Sequence, residues 1–266
     1  MSTDLMHSAE VKEIVRRAYR SIDRSTAAVA ERFYGPEELA QVPRSAIERA
    51  VGVANHLRFA EIRAGDTVLD IGCGGGIDTI LAARRAGPSG RVIALDFLPE
   101  MLERTAAAAA EAGLDNVTTL ESEMEAIALP DSSVDLIVSN GVINLSPRKA
   151  RVMAECARVL RPGGRLCVSD LTVEQDDLPA EIATQPSAWA GCVAGALKEE
   201  DFVAKLQKAG FVDVAILSRE PLSVDDCALY PLFTGEVIRL MRELIPAAMQ
   251  SQVAISVVVR ASLPPS

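Results

Sequence analysis

The stretch that most constrains the fold of this chain is TVLDIGCGGGID, residues 67–78. Its first half, 68–71, is short, apolar and rich in β-branched residues, which is typical of a buried strand. Four glycines follow within five positions, and a helical pattern begins at Ile77. Glycines let the backbone approach a ligand closely and adopt dihedral angles that a Cβ forbids. A strand that leads through a glycine-rich turn into a helix therefore predicts a loop that binds a nucleoside-bearing cofactor.

Strand and helix patterns alternate from Thr67 onwards. The periodicity predicts strands at 68–71, 91–95, 117–120, 134–139 and 165–170, with helices at 77–86, 99–112 and 148–160. Repeated βα units predict a Rossmann-like, doubly wound α/β fold with a parallel sheet and helices on both of its faces. Ligands bind beyond the carboxyl ends of such strands. The glycine loop, Asp96, Glu123 and Asn140 all fall at that edge.

The flanking segments differ in pattern from this core. Residues 8 to about 60 have helical spacing without a strand, which predicts an N-terminal helical cap. After the core come a helix at 199–209, a strand at 212–217, a helix at 233–249 and a strand at 253–260. We expect the last two strands to complete the sheet. The predicted organisation is therefore a cap (1–60), a cofactor-binding core (61–220) and C-terminal additions (221–266).

Composition excludes several classes of function. The net charge of −10 argues against nucleic acid or an anionic membrane as the main partner. The longest apolar strand-like run, 253–259, is far shorter than the ~20 residues of a membrane span. Five scattered cysteines without a CxxC pair predict a reduced, cytoplasmic protein rather than a zinc or disulfide scaffold. We expect a small-molecule substrate, and no pattern predicts the oligomeric state.

The acids around the loop distinguish between cofactors. Asp70 directly precedes the glycines, where a carboxylate suits a cationic ligand and opposes a pyrophosphate. Asp96 ends the second strand, at the position expected to bind ribose hydroxyls. The loop's flanks carry no Lys or Arg to meet phosphates. This combination indicates S-adenosylmethionine and not NAD, although an NAD-dependent dehydrogenase stays open as a rival.

Longer motifs extend this interpretation. The chain resembles the class I S-adenosylmethionine-dependent methyltransferases, and within them it is similar to the arsenite methyltransferases over roughly residues 33–216. Besides the glycine loop, the resemblance rests on four segments. They are GRVIALD with PEML (90–96 and 99–102), SNGVINL (139–145), RVLRPGGR (158–165) and WAGCVAGAL (189–197).

The resemblance implies a cofactor site and a product, S-adenosylhomocysteine. It assigns Asp70 to the methionine ammonium, directly or through water, Asp96 to the ribose, and Asn140 to the surroundings of the methionine moiety. The implied cofactor-binding residues are Asp70, Gly72, Cys73, Gly74, Asp96, Phe97, Glu123, Met124 and Asn140, with Glu123 and Met124 at the adenine.

The chain departs from the arsenite methyltransferases at the metalloid. That family holds As(III) with three cysteines, since soft centres prefer thiolates. Here Gly141 replaces the second cysteine, and the cap position falls near 52–55, where there is none. Cys192 remains, and Cys227 is the candidate to stand in beside it for a missing thiol. We therefore expect a small organic acceptor, with arsenite methylation through Cys192 and other thiols, or a non-catalytic cofactor-binding protein, as alternatives.

The expected acceptor site draws on residues from the cap and from the narrower motifs. Cys192 and His56 are the candidate catalytic residues, His56 as a base or as a group that orients the acceptor. The predicted pocket is formed by Tyr34, Gly141, Asn144, Trp189 and Cys192.

Overall fold

A computed structural model describes residues 8–173 and 179–266 of the chain, without the side chains of Ser8 and Ala9. The first seven residues of the predicted cap lie outside the described residues. The helices are α1 (Ser8–Arg20), α2 (Ala27–Phe33), α3 (Pro36–Leu39), α4 (Arg44–Ile47), α5 (Ile77–Ala86), α6 (Pro99–Glu111), α7 (Lys149–Val159), α8 (Ala180–Ala183), α9 (Pro186–Ala190), α10 (Glu199–Lys208), α11 (Val224–Cys227) and α12 (Gly235–Leu244).

Seven strands in the described part of the chain form one sheet. They are β1 (Thr67–Ile71), β2 (Arg91–Asp96), β3 (Val117–Glu121), β4 (Val134–Asn140), β5 (Leu160–Thr172), β6 (Val212–Leu222) and β7 (Ala254–Ser262). Their order is β3-β2-β1-β4-β5-β7-β6. The first five are parallel, and β7 runs antiparallel between β5 and β6.

The sheet has an apolar core on each face because successive residues of a buried strand point to opposite sides. In β1, Val68 packs into the core shared with the cap and α5, while Leu69 packs into the core shared with α7 and α10. The predicted doubly wound α/β fold is therefore confirmed, and the last two strands complete the sheet as expected.

Three segments differ clearly from the sequence-based expectation. The predicted helix over 233–249 ends at Leu244, because Pro246 forces the preceding residue, Ile245, into an extended conformation at φ −84° and ψ 127°. Strands β5 and β6 also run longer than predicted. β6 and the end of β5 pair with β7, and Leu160 at the start of β5 pairs with Val134 of β4.

The four cap helices and a single 3-10 turn, His56–Arg58, precede β1 and cover the carboxyl edge of the parallel strands. Within the described residues, no helix combines the length and the apolarity that crossing a bilayer requires.

Candidate functional site

The glycine loop connects β1 to α5 in a conformation that only glycine adopts readily. Gly72, Gly74 and Gly76 have φ of +77°, +53° and +94°. A Cβ on Gly72 would lie 2.4 Å from a methyl group of Val142, whereas a Cβ on Gly74 would meet nothing closer than 3.9 Å. The loop thus leaves open space beside its backbone at Gly74, which a ligand-binding loop requires.

A cleft of about 780 Å³ opens beside this loop, and we call it the cofactor cleft. It contains seven of the nine predicted cofactor-binding residues: Gly72, Gly74, Asp96, Phe97, Glu123, Met124 and Asn140. Ile71, Leu95, Leu98, Met101, Val142 and Leu145 supply apolar walls. The parallel strands bring these residues together because their carboxyl ends share one edge.

Asp96 lies at the end of β2 with both carboxylate oxygens fixed by the backbone. Oδ2 accepts a hydrogen bond from the amide of Gly74 at 3.2 Å, and Oδ1 accepts one from the amide of Leu98 at 3.0 Å. Burial raises the pKa of Asp96 to about 6, against the lowering effect of these amides. A fixed carboxylate with free lone pairs in the cleft suits a pair of ribose hydroxyls.

Asp70 does not line the cofactor cleft. It is 2% exposed behind the loop, where Oδ2 accepts a hydrogen bond from Thr79 Oγ1 at 2.5 Å. Burial, and next the charge of Asp78, raise the pKa of Asp70 to about 8. Asp70 thus lies behind the lining of the cleft, and its contact with the ammonium, directly or through water, stays a prediction. Asp70, Asp78 and Asp96 together make the site suited to a cationic ligand.

Asn140 ends β4 and ties the cap to the core. Its Oδ1 accepts hydrogen bonds from the amide of Val53 at 2.8 Å and from Ser169 Oγ at 2.9 Å. Its Nδ2 donates to the carbonyl of Ala54 at 2.9 Å and to Asp78 Oδ2 at 3.0 Å. Asn140 thus borders the cofactor cleft while it anchors the cap segment.

A second, smaller and apolar cavity adjoins the cleft, and we call it the acceptor cavity. Tyr19 and Val51 line both spaces. Val53, Gly141 and Cys192 line the acceptor cavity together, which brings the cap segment 52–55 to the two motif positions predicted from the sequence. The remaining walls are Leu171, Ala190, Gly191, Leu222, Tyr230, Leu232 and Phe233.

The Cys192 thiol is buried at the wall of this cavity. It donates a hydrogen bond to the carbonyl of Gly141 at 3.1 Å, and the residue has a φ of +63°. Burial, and then the charge of Asp170, raise the pKa of Cys192 well above its ordinary value, against the opposing charge of Lys149. The thiol is therefore protonated at neutral pH. Cys227 is fully buried and does not line the cavity.

Four of the residues predicted for the acceptor site line neither the cofactor cleft nor the acceptor cavity: His56, Asn144, Trp189 and Tyr34. His56, the candidate base, is fully buried beneath the sheet edge, and neither ring nitrogen has a hydrogen-bond partner among the described residues. Burial lowers the pKa of His56. Asn144 donates instead to Asp170 Oδ1 at 2.8 Å, and the Trp189 ring faces Lys149 at 5.8 Å. His56 therefore lines neither the cofactor cleft nor the acceptor cavity, because the cap turn that carries it packs inward.

Tyr34 lies at a third cavity, of about 460 Å³, on the other side of the glycine loop. We call it the loop cavity, and it also contains Cys73. The Tyr34 hydroxyl donates to Asp78 Oδ1 at 2.6 Å. Tyr34 is therefore a neighbour of the loop rather than a wall of the acceptor cavity.

Sequence reasoning missed the contribution of α1 to the site. Lys12, Val15 and Tyr19 of this helix line the cofactor cleft, and Lys12 Nζ pairs with Glu123 Oε2 at 2.6 Å. The three-and-four spacing of α1 predicts an apolar face but does not indicate what that face covers. Tyr230 and Phe233 were missed for the same reason, since no local pattern relates them to the loop.

Several known proteins are similar to this chain in sequence. Residues 62–210 match the protein family described as methyltransferase domain. The arsenite methyltransferase of Halobacterium salinarum is 38% identical over 199 residues, which are 74% of this chain and 50% of that protein. The nocamycin O-methyltransferase of Saccharothrix syringae is 38% identical over 110 residues, which are 41% of this chain and 39% of that protein. The chain thus spans half or less of the length of these two relatives.

A solved structure is similar over most of the chain. It is the crystal structure of CrArsM, an arsenic(III) S-adenosylmethionine methyltransferase from Chlamydomonas reinhardtii. The TM-score is 0.60 at 31% sequence identity, with 94% of this chain and 73% of that chain covered.

Proposed function

Because this chain belongs to the methyltransferase domain family, we propose that it is a class I S-adenosylmethionine-dependent methyltransferase whose acceptor is a small, apolar organic molecule. The observation that carries the proposal is the acceptor cavity. At two positions of this cavity where the resemblance to arsenite methyltransferases leads us to expect cysteines, the chain has Val53 and Gly141. Cys192 is the one expected cysteine that remains there.

The residues of the cofactor cleft fit S-adenosylmethionine. When bound, this cofactor supplies an activated methyl group on a sulfonium, and S-adenosylhomocysteine remains after transfer. Asp96 is suited to hold the ribose, with Glu123 and Met124 beside the adenine. The buried acids Asp70 and Asp96 favour a cation, and the open space above Gly74 admits a ligand to the backbone.

The acceptor cavity supports an acceptor that carries its own nucleophile. None of the described residues lining it is a carboxylate, a histidine or a lysine, so the cavity offers no strong general base. Its aromatic walls, Tyr19, Tyr230 and Phe233, instead exclude water and orient a flat apolar molecule. An amine, thiolate, phenolate or enolate would attack the methyl carbon as the carbon–sulfur bond breaks, leaving a neutral thioether.

Arsenite methylation is the second candidate because the Halobacterium and Chlamydomonas relatives carry that name. The residues argue against it. As(III) is soft and needs several thiolates, whereas Cys192 is the single cysteine lining the acceptor cavity and is protonated. Among the described residues, no group of three or more His, Cys, Asp or Glu side chains could hold a metal ion.

The test is a methyl-transfer assay with labelled S-adenosylmethionine. Small phenols, enols, amines and thiols would be compared with arsenite plus excess thiol. We expect label in organic products and none in methylarsenic species. Robust methylarsenic formation would contradict the proposal. Tight cofactor binding without transfer to any acceptor would instead favour a non-catalytic cofactor-binding protein.

A pair of variants tests the role of the missing thiols. Val53→Cys with Gly141→Cys restores two thiols beside Cys192, and Val53→Ala with Gly141→Ala is the matched control. Since Gly141 has a φ of +69°, both substitutions there cost a similar 1–2 kcal/mol of backbone strain. We expect the cysteine variant to retain arsenite in equilibrium dialysis, unlike the control and the wild type. Equal retention by wild type and cysteine variant would contradict the argument.

A further inference from the structure

The carbonyl oxygen of Val51 lies beside Gly141 at the acceptor cavity. Val51 lines both this cavity and the cofactor cleft, and its oxygen would be 3.9 Å from a Cβ built on Gly141. Because Gly141 has no side chain, nothing at that position covers the oxygen. Within residues 8–173 and 179–266, no group donates a hydrogen bond to it. A carbonyl oxygen without a partner suits an acceptor molecule that carries an N–H group.

The side-chain donors of the cavity are mostly used within the protein. The Tyr230 hydroxyl donates to the carbonyl of Gly52 at 3.0 Å, and the Cys192 thiol donates to the carbonyl of Gly141 at 3.1 Å. Among the described residues that line the cavity, the Tyr19 hydroxyl is the one side-chain donor left, and none is a lysine, arginine or histidine. An anionic acceptor would therefore be buried without a cation beside it, which is costly.

Charges behind the walls also disfavour an anion. Burial, and then the Cys192 thiol and the carboxylates of Asp96 and Asp170, raise the pKa of Tyr19 well above its ordinary value. Burial raises the pKa of both acids to about 6, so both are mostly ionised at neutral pH. Lys149 acts on Cys192 with the opposite sign, but it does not line the cavity, and burial lowers its pKa to about 8. The two acids outweigh this one cation.

Aromatic rings form a large part of the cavity wall, and two of them are fixed. Tyr230 and Phe233 meet edge to face, with ring centroids 6.5 Å apart and an angle of 79° between the planes. The Phe233 ring packs on Gly191, where a Cβ would lie 2.3 Å from Cζ. The face of an aromatic ring attracts a cation because it carries partial negative charge. The cavity thus suits a positive charge although no carboxylate lines it.

We propose that the acceptor is a small neutral amine, which makes the chain an N-methyltransferase. An N–H of the amine donates to the Val51 carbonyl, and the nitrogen lone pair attacks the methyl carbon. The nitrogen–carbon bond forms as the carbon–sulfur bond breaks, and the electron pair of the broken bond stays on sulfur. The positive charge passes to the nitrogen, and the product ammonium gives its proton to water after release. This inference rests on the proposed function and narrows its acceptor to one chemical class.

Transfer to an amine differs in charge from transfer to an anion. Methylation of a phenolate, enolate or thiolate removes the positive charge, whereas an amine takes it over. The amine reaction therefore needs walls that suit a cation in reactants and products alike, and the aromatic faces, the Val51 carbonyl and the nearby acids provide them. An anionic acceptor needs a cation or several free donors, and the described lining residues offer neither.

A matched set of acceptors tests the chemical class on the full chain. Benzylamine, 4-methylphenol and benzyl mercaptan each have one ring and the same number of non-hydrogen atoms, and labelled S-adenosylmethionine reports transfer to each. We expect the amine to be methylated at least about tenfold faster than the other two, because the cavity has no cation for their anions. Faster transfer to the phenol or the thiol would overturn this inference alone. Methylarsenic formation, or no transfer to any acceptor, would contradict the proposed function itself.

A binding measurement tests the charge preference without turnover. Tetramethylammonium mimics a methylated, positively charged product, and tert-butanol is a neutral molecule of similar size. Titration calorimetry with S-adenosylhomocysteine present gives Kd of both for wild type, Phe233→Leu and Phe211→Leu. Phe211→Leu is the matched control, since Phe211 is also buried but packs in the core shared with α7 and α10.

The comparison of the two ligands separates cation binding from cavity shape. We expect wild type to bind tetramethylammonium more tightly than tert-butanol. Phe233→Leu should weaken tetramethylammonium about 5- to 30-fold and tert-butanol less than about twofold, and Phe211→Leu should change neither. Equal weakening of both ligands by Phe233→Leu would overturn the proposal, because it would mean that the ring only shapes the cavity. Equal affinity of wild type for the two ligands would overturn it as well.

Discussion

At the scale of single residues, the site is organised by acids that the fold keeps away from water. Asp96 and Asp70 follow neighbouring strands, and burial raises the pKa of each, to about 6 and about 8. Asp78 adds to the shift of Asp70. A cationic ligand would reverse these shifts, because an opposite charge nearby favours the ionised carboxylate.

The first prediction concerns the pH dependence of cofactor affinity. Since Asp70 is largely protonated below pH 8 in the free protein and ionised beside a cation, binding releases a proton. The affinity for S-adenosylmethionine should therefore rise from pH 6.5 to 7.5, by at most about tenfold per released proton. The ligand's sulfonium stays charged throughout this window, and its α-amino group, with a pKa of about 7.7–8.0, loses its proton mainly above it. Calorimetry at several pH values measures this dependence.

The matched variants for this prediction are Asp70→Asn and Asp213→Asn, the latter exposed on β6. Asp70→Asn should make the affinity for S-adenosylmethionine nearly independent of pH above pH 6.5. Below pH 6.5 the affinity should still change with pH, because Asp96 has a pKa of about 6. A steep wild-type slope that persists in Asp70→Asn would assign the proton to another group.

At the scale of elements, the sheet depends on its last strand. β7 lies between β5 and β6 and pairs antiparallel with both. Its residues face the two cores alternately: Val257 packs with α7 and α10, and Val258 packs with the cap side. Loss of β7 would therefore leave unpaired edges on both β5 and β6.

The second prediction follows from this position. Val257→Asp buries an unpaired charge in the fully covered strand β7 and should destabilise the protein by more than about 4 kcal/mol, which removes cooperative unfolding. Val212→Asp is the matched control, since Val212 is 40% exposed on edge strand β6, and it should cost less than about 1 kcal/mol. Urea denaturation followed by circular dichroism compares them. Similar losses in both variants would contradict the central role of β7.

At the scale of the whole molecule, the cap and the core enclose three adjoining spaces at one edge of the sheet. The cofactor cleft and the acceptor cavity share Tyr19 and Val51, and the cleft and the loop cavity share Asn140. Because each space combines residues from cap and core, ligand binding and global stability are linked. The buried acids make this link depend on pH.

The third prediction is that the ligand-free protein loses stability as pH rises from 6.5 to 8. A carboxyl group with a folded pKa of about 8 and an unfolded pKa of about 3.9 binds more protons in the folded state across this window. The free energy of unfolding should therefore fall by about 1–2 kcal/mol. Urea denaturation at both pH values measures the change.

Asp70→Asn is the decisive comparison, because an amide does not titrate and should remove most of the pH dependence. His56 and Lys149 contribute smaller effects of the opposite sign in this window, because burial lowers the pKa of each, that of Lys149 to about 8. Constant stability of the wild type between pH 6.5 and 8 would refute the assigned protonation of Asp70.

Local patterns in the sequence determined the doubly wound core, the glycine loop and the family. Strand ends and helix starts depend on neighbouring residues, and parallel strands bring their carboxyl ends to one edge. That is why Gly72, Asp96 and Asn140 could be assigned to the cofactor edge in advance. The order of β7 and β6 in the sheet could not, since it depends on long-range pairing.

Only the tertiary structure decided which side chains face the three spaces. Asp70 and Asp78 are eight residues apart and have the same side chain, yet one lies behind the glycine loop and the other faces the loop cavity. His56 turns inward, while Tyr19 and Arg49 reach the site from the cap. The physical reason is that these orientations arise from packing between segments far apart in the chain, which no local periodicity encodes. The glycine loop can thus be predicted from the sequence, whereas the cap residues that pack around it cannot.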